Sequence, residues 1–319
     1  MRKYDAIKKV ELHCRLDGSL DLNLASNWMG VSLSEAKEIL TRKTGVRNLS
    51  DYLKKFEVPI ELLQLKSHLK SAAYALCMQM KKENVIYAEI RLAPIEHTKR
   101  NLTADEVIEY VLEGIEKSGL KANLILTMKR EDTLSDNKKV IRLAKKYLNK
   151  GVCAVDLSGD ESIFPTISFK ELFEYANEAG IPFTITCGET GTYRDIDDAI
   201  SFGAKRIGHG VLAIKNFKTM ENLKKNDIPL ELCITSNLDT KLFDNITEHP
   251  IKRLIDSGVK VTVNTGNRTI SKTDLAHEYY LLNKYLDFND DDFNRMNRTA
   301  LLHSFLPDED KVELLKMIN

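Results

Sequence analysis

The sequence has no surplus of either charge, with 47 basic side chains against 47 acidic ones in 319 residues. Nucleic-acid and membrane-surface partners both want a basic excess, so neither is expected. The N-terminal residues Met1 to Asp5 lack the apolar stretch of a secretory leader. No window approaches the ~20 apolar residues of a membrane-spanning helix. Five cysteines (Cys14, Cys77, Cys153, Cys187 and Cys233) are odd in number, widely spaced and without a CxxC pair. They suit buried, reduced thiols in the cytoplasm rather than a disulfide framework. No glycine-rich fingerprint follows the first candidate strand, which argues against a dinucleotide-binding fold. No low-complexity linker divides the chain, so one domain is expected over 1–319; no pattern fixes an oligomeric state.

What the chain does have is apolar material, 43% of its residues, in a regular alternation. Short runs rich in β-branched and apolar residues fall at Val10–Leu16, Val85–Leu92, Ala122–Met128, Val152–Leu157, Ile181–Thr186, Arg206–His209, Ile228–Cys233 and Val259–Asn264. They read as buried parallel strands. Between them lie helical patterns. Leu62, Leu65, Leu69, Ala72, Leu76 and Met80 form one apolar stripe. Thr103 and Glu106 form a capping box ahead of Val107 and Val111. Eight strand–helix repeats predict an α/β fold, a (β/α)₈ TIM barrel. Residues 18–58 form an inserted helical segment after strand one, read as a lid, and 287–319 read as extra closing helices.

Chemistry in such a barrel sits at the C-terminal ends of the strands, and polar residues collect there. His13, Arg15 and Asp17 close strand one, Glu89 and Arg91 lie on strand two, and Asp156, Gly159, Asp160 and Glu161 follow strand four. Thr186 and Glu189, then His209, then Ser236 and Asn237, then Asn264 to Arg268 continue the series. Each has a plain structural reading: Glu89 and Arg91 suit an internal ion-pair lattice, and Cys187 suits packing. Recurrence after nearly every strand favours a site, because a solvated surface has no reason to follow that rule. Alternation points Glu11, His13 and Arg15 to one side of strand one and Cys14 to the other.

The segments VELHCRLDGSL (10–20), YAEIRLAP (87–94), DLSGDE (156–161), TITCGET (184–190), RIGHG (206–210), LELCITSN (230–237) and VTVNTGNR (261–268) resemble the successive signatures of the adenosine deaminases, in the same order. The resemblance runs from residue 10 to about 285. It implies a pocket for a purine nucleoside, with Glu189 protonating the ring and His209 orienting the attacking water. It further implies Asp17 at a ribose hydroxyl, Gly159 giving a backbone contact to the purine, and Asn267 near N7. The family holds zinc with both histidines of an HxH, the histidine of an HAGE and an aspartate after NT. Here those positions are His13, Arg15, Thr186 and Gly266, so one ligand of four remains.

If a complete zinc site contributes roughly 10–16 kcal/mol, one quarter leaves ~3–4 kcal/mol, an affinity near millimolar. A guanidinium ~4 Å from a dication would add a penalty of ~8 kcal/mol at an effective dielectric of 20. No cofactor is therefore expected. Arg15 is expected to fill part of the metal void, paired with Glu189 or with an anionic ligand group. Four readings follow. The first is a metal-independent hydrolase of purine nucleosides, with attack at the sugar carbon conceivable because a protonated purine leaves more easily. The second is a non-catalytic purine-nucleoside binder; the third, an ordinary adenosine deaminase carrying inactivating substitutions; the fourth, a barrel kept for structural association.

Overall fold

The computed structural model describes residues 3–41, 52 and 54–318. Its eight strands are β1 (Lys9–Arg15), β2 (Val85–Leu92), β3 (Ala122–Lys129), β4 (Val152–Ser158), β5 (Phe183–Cys187), β6 (Arg206–His209), β7 (Leu230–Leu232) and β8 (Val261–Val263). Each pairs in parallel with the next, in the order β1 to β8. The expected (β/α)₈ barrel is present, with strands five, seven and eight shorter than the sequence suggests.

Barrel closure explains the short last strand. Beyond Val263 the contact to β1 is made by individual groups. The Asn264 side-chain oxygen accepts from the Leu12 amide at 2.9 Å. Gly266 donates to the His13 carbonyl and accepts from the Arg15 amide, both at 2.8 Å. Gly266 has φ +66°, a conformation that disfavours any side chain but is tolerated best by Asp and Asn after glycine.

The barrel interior is charged below the site. Glu231 accepts from Arg91 Nη2 and from Arg206 Nε, each at 2.5 Å. Arg206 also pairs with Glu89, and Arg91 Nε donates to Asp156 at 3.2 Å. Glu89 and Arg91 thus belong to one lattice without pairing to each other. All five side chains are buried. Such a network is tolerable only because every charge has a partner.

Apolar residues lie between the strands and the outer helices. On the helix Lys66–Lys82, Leu69, Ala72, Leu76 and Met80 are buried as the stripe predicts, whereas Leu65 is its exposed N-cap. The Thr103–Glu106 capping box opens the helix Ala104–Ser118. After β1, the insertion contains the helices Leu22–Met29, Leu33–Leu40 and Glu57–Leu62; the part of the expected lid at 42–51 and 53 lies outside the described residues. The closing helices Asp290–Leu302 and Asp308–Leu315 follow. Leu301 and Leu314 pack with Val10, Leu12 and Tyr87. Phe305 lies 4.1 Å beneath the Arg206 guanidinium, and its amide donates to Glu89 at 2.6 Å. Among the described residues no helix is long and apolar enough to cross a membrane.

Candidate active site

At the C-terminal ends of the strands a cavity of about 300 Å³ is lined by His13, Arg15, Gly159, Thr186, Glu189, His209 and Asn267, together with Tyr52, Phe56 and Ile60 from the insertion. With Arg91, Asp156 and Ser236, which also line it, ten residues singled out in the sequence meet at one place. The alternation along β1 explains two of them: His13 and Arg15 enter the cavity, while Cys14 packs in the apolar layer outside.

His13 Nδ1 lies 3.0 Å from Glu231 Oε2, the oxygen that also receives Arg91. Burial, with the Arg91 charge adding to it, holds its pKa well below the usual histidine range. A neutral ring that donates through Nδ1 leaves Nε2 as an acceptor. Glu231 was visible in the sequence only as a charge between two leucines; that placement, in a strand buried on both faces, was the available signal. Close packing under the ring depends on Gly208. A Cβ there would stand 2.9 Å from His13 Cε1, 2.7 Å from Thr186 Oγ1 and 3.1 Å from the Thr186 Cα. Gly208→Ala is accordingly expected to cost ~1–3 kcal/mol, read as a lowered urea midpoint with unchanged slope. A loss under ~0.5 kcal/mol would mean the wall yields.

Arg15 departs from expectation. Its guanidinium grips Asp17 with two bonds, Nε–Oδ1 at 3.1 Å and Nη2–Oδ2 at 2.8 Å. Nη1 donates to Ser158 at 3.2 Å, and the group lies 5.0 Å over the Phe56 ring. It is not paired with Glu189. A bidentate carboxylate satisfies the guanidinium better than a longer reach across the cavity, so the repulsion expected of a free charge is largely neutralised. Asp17, expected at a ribose hydroxyl, is buried with both oxygens on Arg15 and one also accepting from the Gly18 amide at 2.9 Å. Arg15 and not Asp17 forms the wall.

The other family metal positions carry no imidazole or carboxylate. The Thr186 hydroxyl donates to both Asp156 oxygens at 3.2 Å. Gly266 has no side chain, and a Cβ there would stand 3.3 Å from Cys233 Sγ. Cys233 was missed as a site residue. Its donor atom and those of His13 and His209 lie within 4.8 Å of one another. Burial is the chief force raising its thiol well above the usual range, so a thiolate there is costly.

Glu189 and His209 face each other, Oε2 to Nε2, at 3.6 Å. Glu189 Oε1 accepts from Thr240 Oγ1 at 3.3 Å and from Asn237 Nδ2 at 3.4 Å. The loop carrying Glu189 is held from behind by Glu161, whose oxygens accept from the amides of Gly188 (2.7 Å), Glu189 (2.5 Å) and Thr190 (2.7 Å). Those bonds offset the burial that raises the Glu161 carboxyl. Gly159 lies at the rim against Glu131. Asn267 donates to Tyr52 Oη at 2.9 Å, and its own oxygen is buried with no partner among the described residues.

Comparison with known proteins agrees along the full length. The adenosine deaminase family profile matches residues 8–319. An adenosine deaminase of Clostridium acetobutylicum is 39% identical, covering 98% of this chain and 97% of its own length. One from Haemophilus ducreyi is 37% identical over 97% and 95%. Among solved structures, an adenine deaminase of Arthrobacter aurescens superposes with a TM-score of 0.88 at 22% identity, over 98% of each chain. Arabidopsis ADAL complexed with IMP gives 0.88 at 24% identity, over 100% of this chain and 98% of its own. Those two bear on the fold alone. The ordered motifs, the eight-stranded barrel and the full-length identities place the chain in the adenosine deaminase family.

Proposed function

We propose that this protein is a metal-independent hydrolase of purine nucleosides in which zinc-dependent deamination is lost or strongly impaired. The observation that carries the reading is the donor set. Zinc wants three or four N, S or O ligands at fixed distances. Of the family's four ligand positions, one offers an imidazole, one a guanidinium bound to Asp17, one a hydroxyl donating to Asp156, and one no side chain. Cys233, whose donor atom lies within 4.8 Å of those of His13 and His209, stands at none of the family's ligand positions. These residues do not fit the family's zinc, and no step is derived through it.

What remains is a glutamate and a histidine facing one cavity of nucleoside size. For water to attack the sugar C1′, its proton passes to the Glu189 carboxylate while the C1′–N9 bond breaks with its electron pair to the purine. Glu189 then returns the proton to the base, giving free purine and ribose. Acid–base help of this kind typically supplies about 10²–10⁴. The protein is expected to be cytoplasmic, and residues 18–58 are assigned as a lid because Tyr52 and Phe56 line the cavity.

A second reading, a non-catalytic purine-nucleoside binder, is favoured by the substitutions Arg15, Thr186 and Gly266 at three family ligand positions, while the facing Glu189 and His209 fit it less well. Product chromatography separates the two. Incubation with adenosine and deoxyadenosine is expected to release adenine. Inosine together with stoichiometric zinc would overturn the proposal, and a raised melting temperature without any product would select the binder.

A further inference from the structure

Two rings and an amide link the candidate site to the backbone behind it. The Ile251 amide donates to His249 Nδ1 at 3.2 Å. His249 Nε2 stands 3.2 Å from Asn237 Oδ1, and Asn237 Nδ2 stands 3.0 Å from His209 Nδ1. The same Nδ2 reaches Glu189 Oε1 at 3.4 Å. Asn237 and His249 are buried, so water is a poor substitute for any of these partners.

Both ends of this chain have fixed polarity. A backbone N–H can only donate, so His249 Nδ1 accepts and its proton sits on Nε2. His249 Nε2–H then donates to the Asn237 oxygen, which turns the Asn237 NH₂ toward the site. At the far end a carboxylate oxygen can only accept, which independently demands the same face of the amide. The Asn237 NH₂ therefore donates to His209 Nδ1. We infer that Ile251, His249 and Asn237 form a proton-ordering chain that locks His209 in the Nε2–H form, with an N–H and no lone pair aimed at Glu189 and the cavity.

Burial supports the chain by holding His249 down to about 3, so the ring stays neutral. The consequence is a division of labour. Glu189 is the base of the pair, and His209 is a hydrogen-bond donor to a water or to a ligand acceptor. A ring protonated on Nε2 cannot also bind a cation there, which adds to the mismatch with zinc. His249 and Asn237 act through His209 and are positioning residues. The role of His209 toward a purine rests on the proposed function; the tautomer does not.

The test is two-bond ¹H–¹⁵N correlation of the histidine side chains, tractable because the sequence has seven histidines. In the unmodified protein His209 and His249 are both expected as Nε2–H, favoured by about tenfold or more. His209 found as Nδ1–H or as imidazolium would overturn the inference. Asn237→Asp replaces the donor by an acceptor and is expected to invert His209 to Nδ1–H; a folded variant that keeps Nε2–H would also overturn it. If that variant does not fold, the unmodified spectrum decides alone. Adding adenosine should shift the His209 resonances. No shift would sink the purine reading and leave the tautomer standing.

Discussion

A variant carrying Arg15→His, Thr186→His and Gly266→Asp is expected to purify with about one zinc per chain and to convert adenosine to inosine, while the unmodified protein does neither. The substitutions return an imidazole or carboxylate to each position where the family has one, beside the His13 that remains. Zinc lowers the pKa of bound water from about 15.7 to about 7. Loss of that activation forfeits up to about eight powers of ten, of which a glutamate and histidine restore about 10²–10⁴. Single substitutions should gain almost nothing, because ligands of one metal act together. Arg15→His also frees Asp17 from its two bonds to the guanidinium, and Asp at Gly266 must accept φ +66°, which Asp tolerates better than most residues. Metal analysis with a deamination assay checks the result. Zinc bound stoichiometrically by the unmodified protein would refute the premise, and a folded triple variant without zinc would show that more than these ligands has changed.

Glu231→Leu should unfold the protein far more readily than any loss of a surface charge. Glu231 accepts from Arg91, Arg206 and His13, all inside the barrel. Arg91 keeps Asp156, and Arg206 keeps Glu89, yet two guanidinium groups lose a shared counter-charge where water cannot replace it. Breaking a buried pair typically costs ~3–5 kcal/mol. Lys70→Ala, which removes an exposed pair with Glu113, should cost no more than ~1 kcal/mol. Urea denaturation of both variants makes the comparison. Equal midpoints would mean that the lattice adds no more than an exposed pair does.

The two experiments probe different layers of one barrel. The lattice of Glu89, Arg91, Arg206 and Glu231 fills the interior beneath the site, and His13 joins the layers by resting on Glu231. A change in the lattice should therefore reach the cavity through the orientation of that ring.

Much of the site was legible because alternation and strand ends are local properties. His13, Arg15, Gly159, Thr186, Glu189, His209 and Asn267 all line the cavity as their strand positions suggested. Asp17 pairs with Arg15, two residues away, across a turn whose geometry spacing does not specify. Tyr52 and Phe56 were missed because they come from the insertion and have no strand-end signal. Cys233 and Glu231 were missed because the residues of β7 do not by themselves show which of them meets His13, two strands away around the closed barrel.

By itself the sequence determined the order of strands and helices, the barrel and which polar residues stand at its mouth, since these follow from period and position along the chain. It also placed Arg15, Thr186 and Gly266 where the resemblance puts metal ligands, which is a matter of residue identity. Only the tertiary structure decided where charges and protons go. The pairing of Arg15 with Asp17 depends on the turn that follows β1; the shared use of Glu231 and the hydrogen-bond polarity running from Ile251 to His209 depend on contacts between separate elements, and donor and acceptor geometry exists only once those elements have packed.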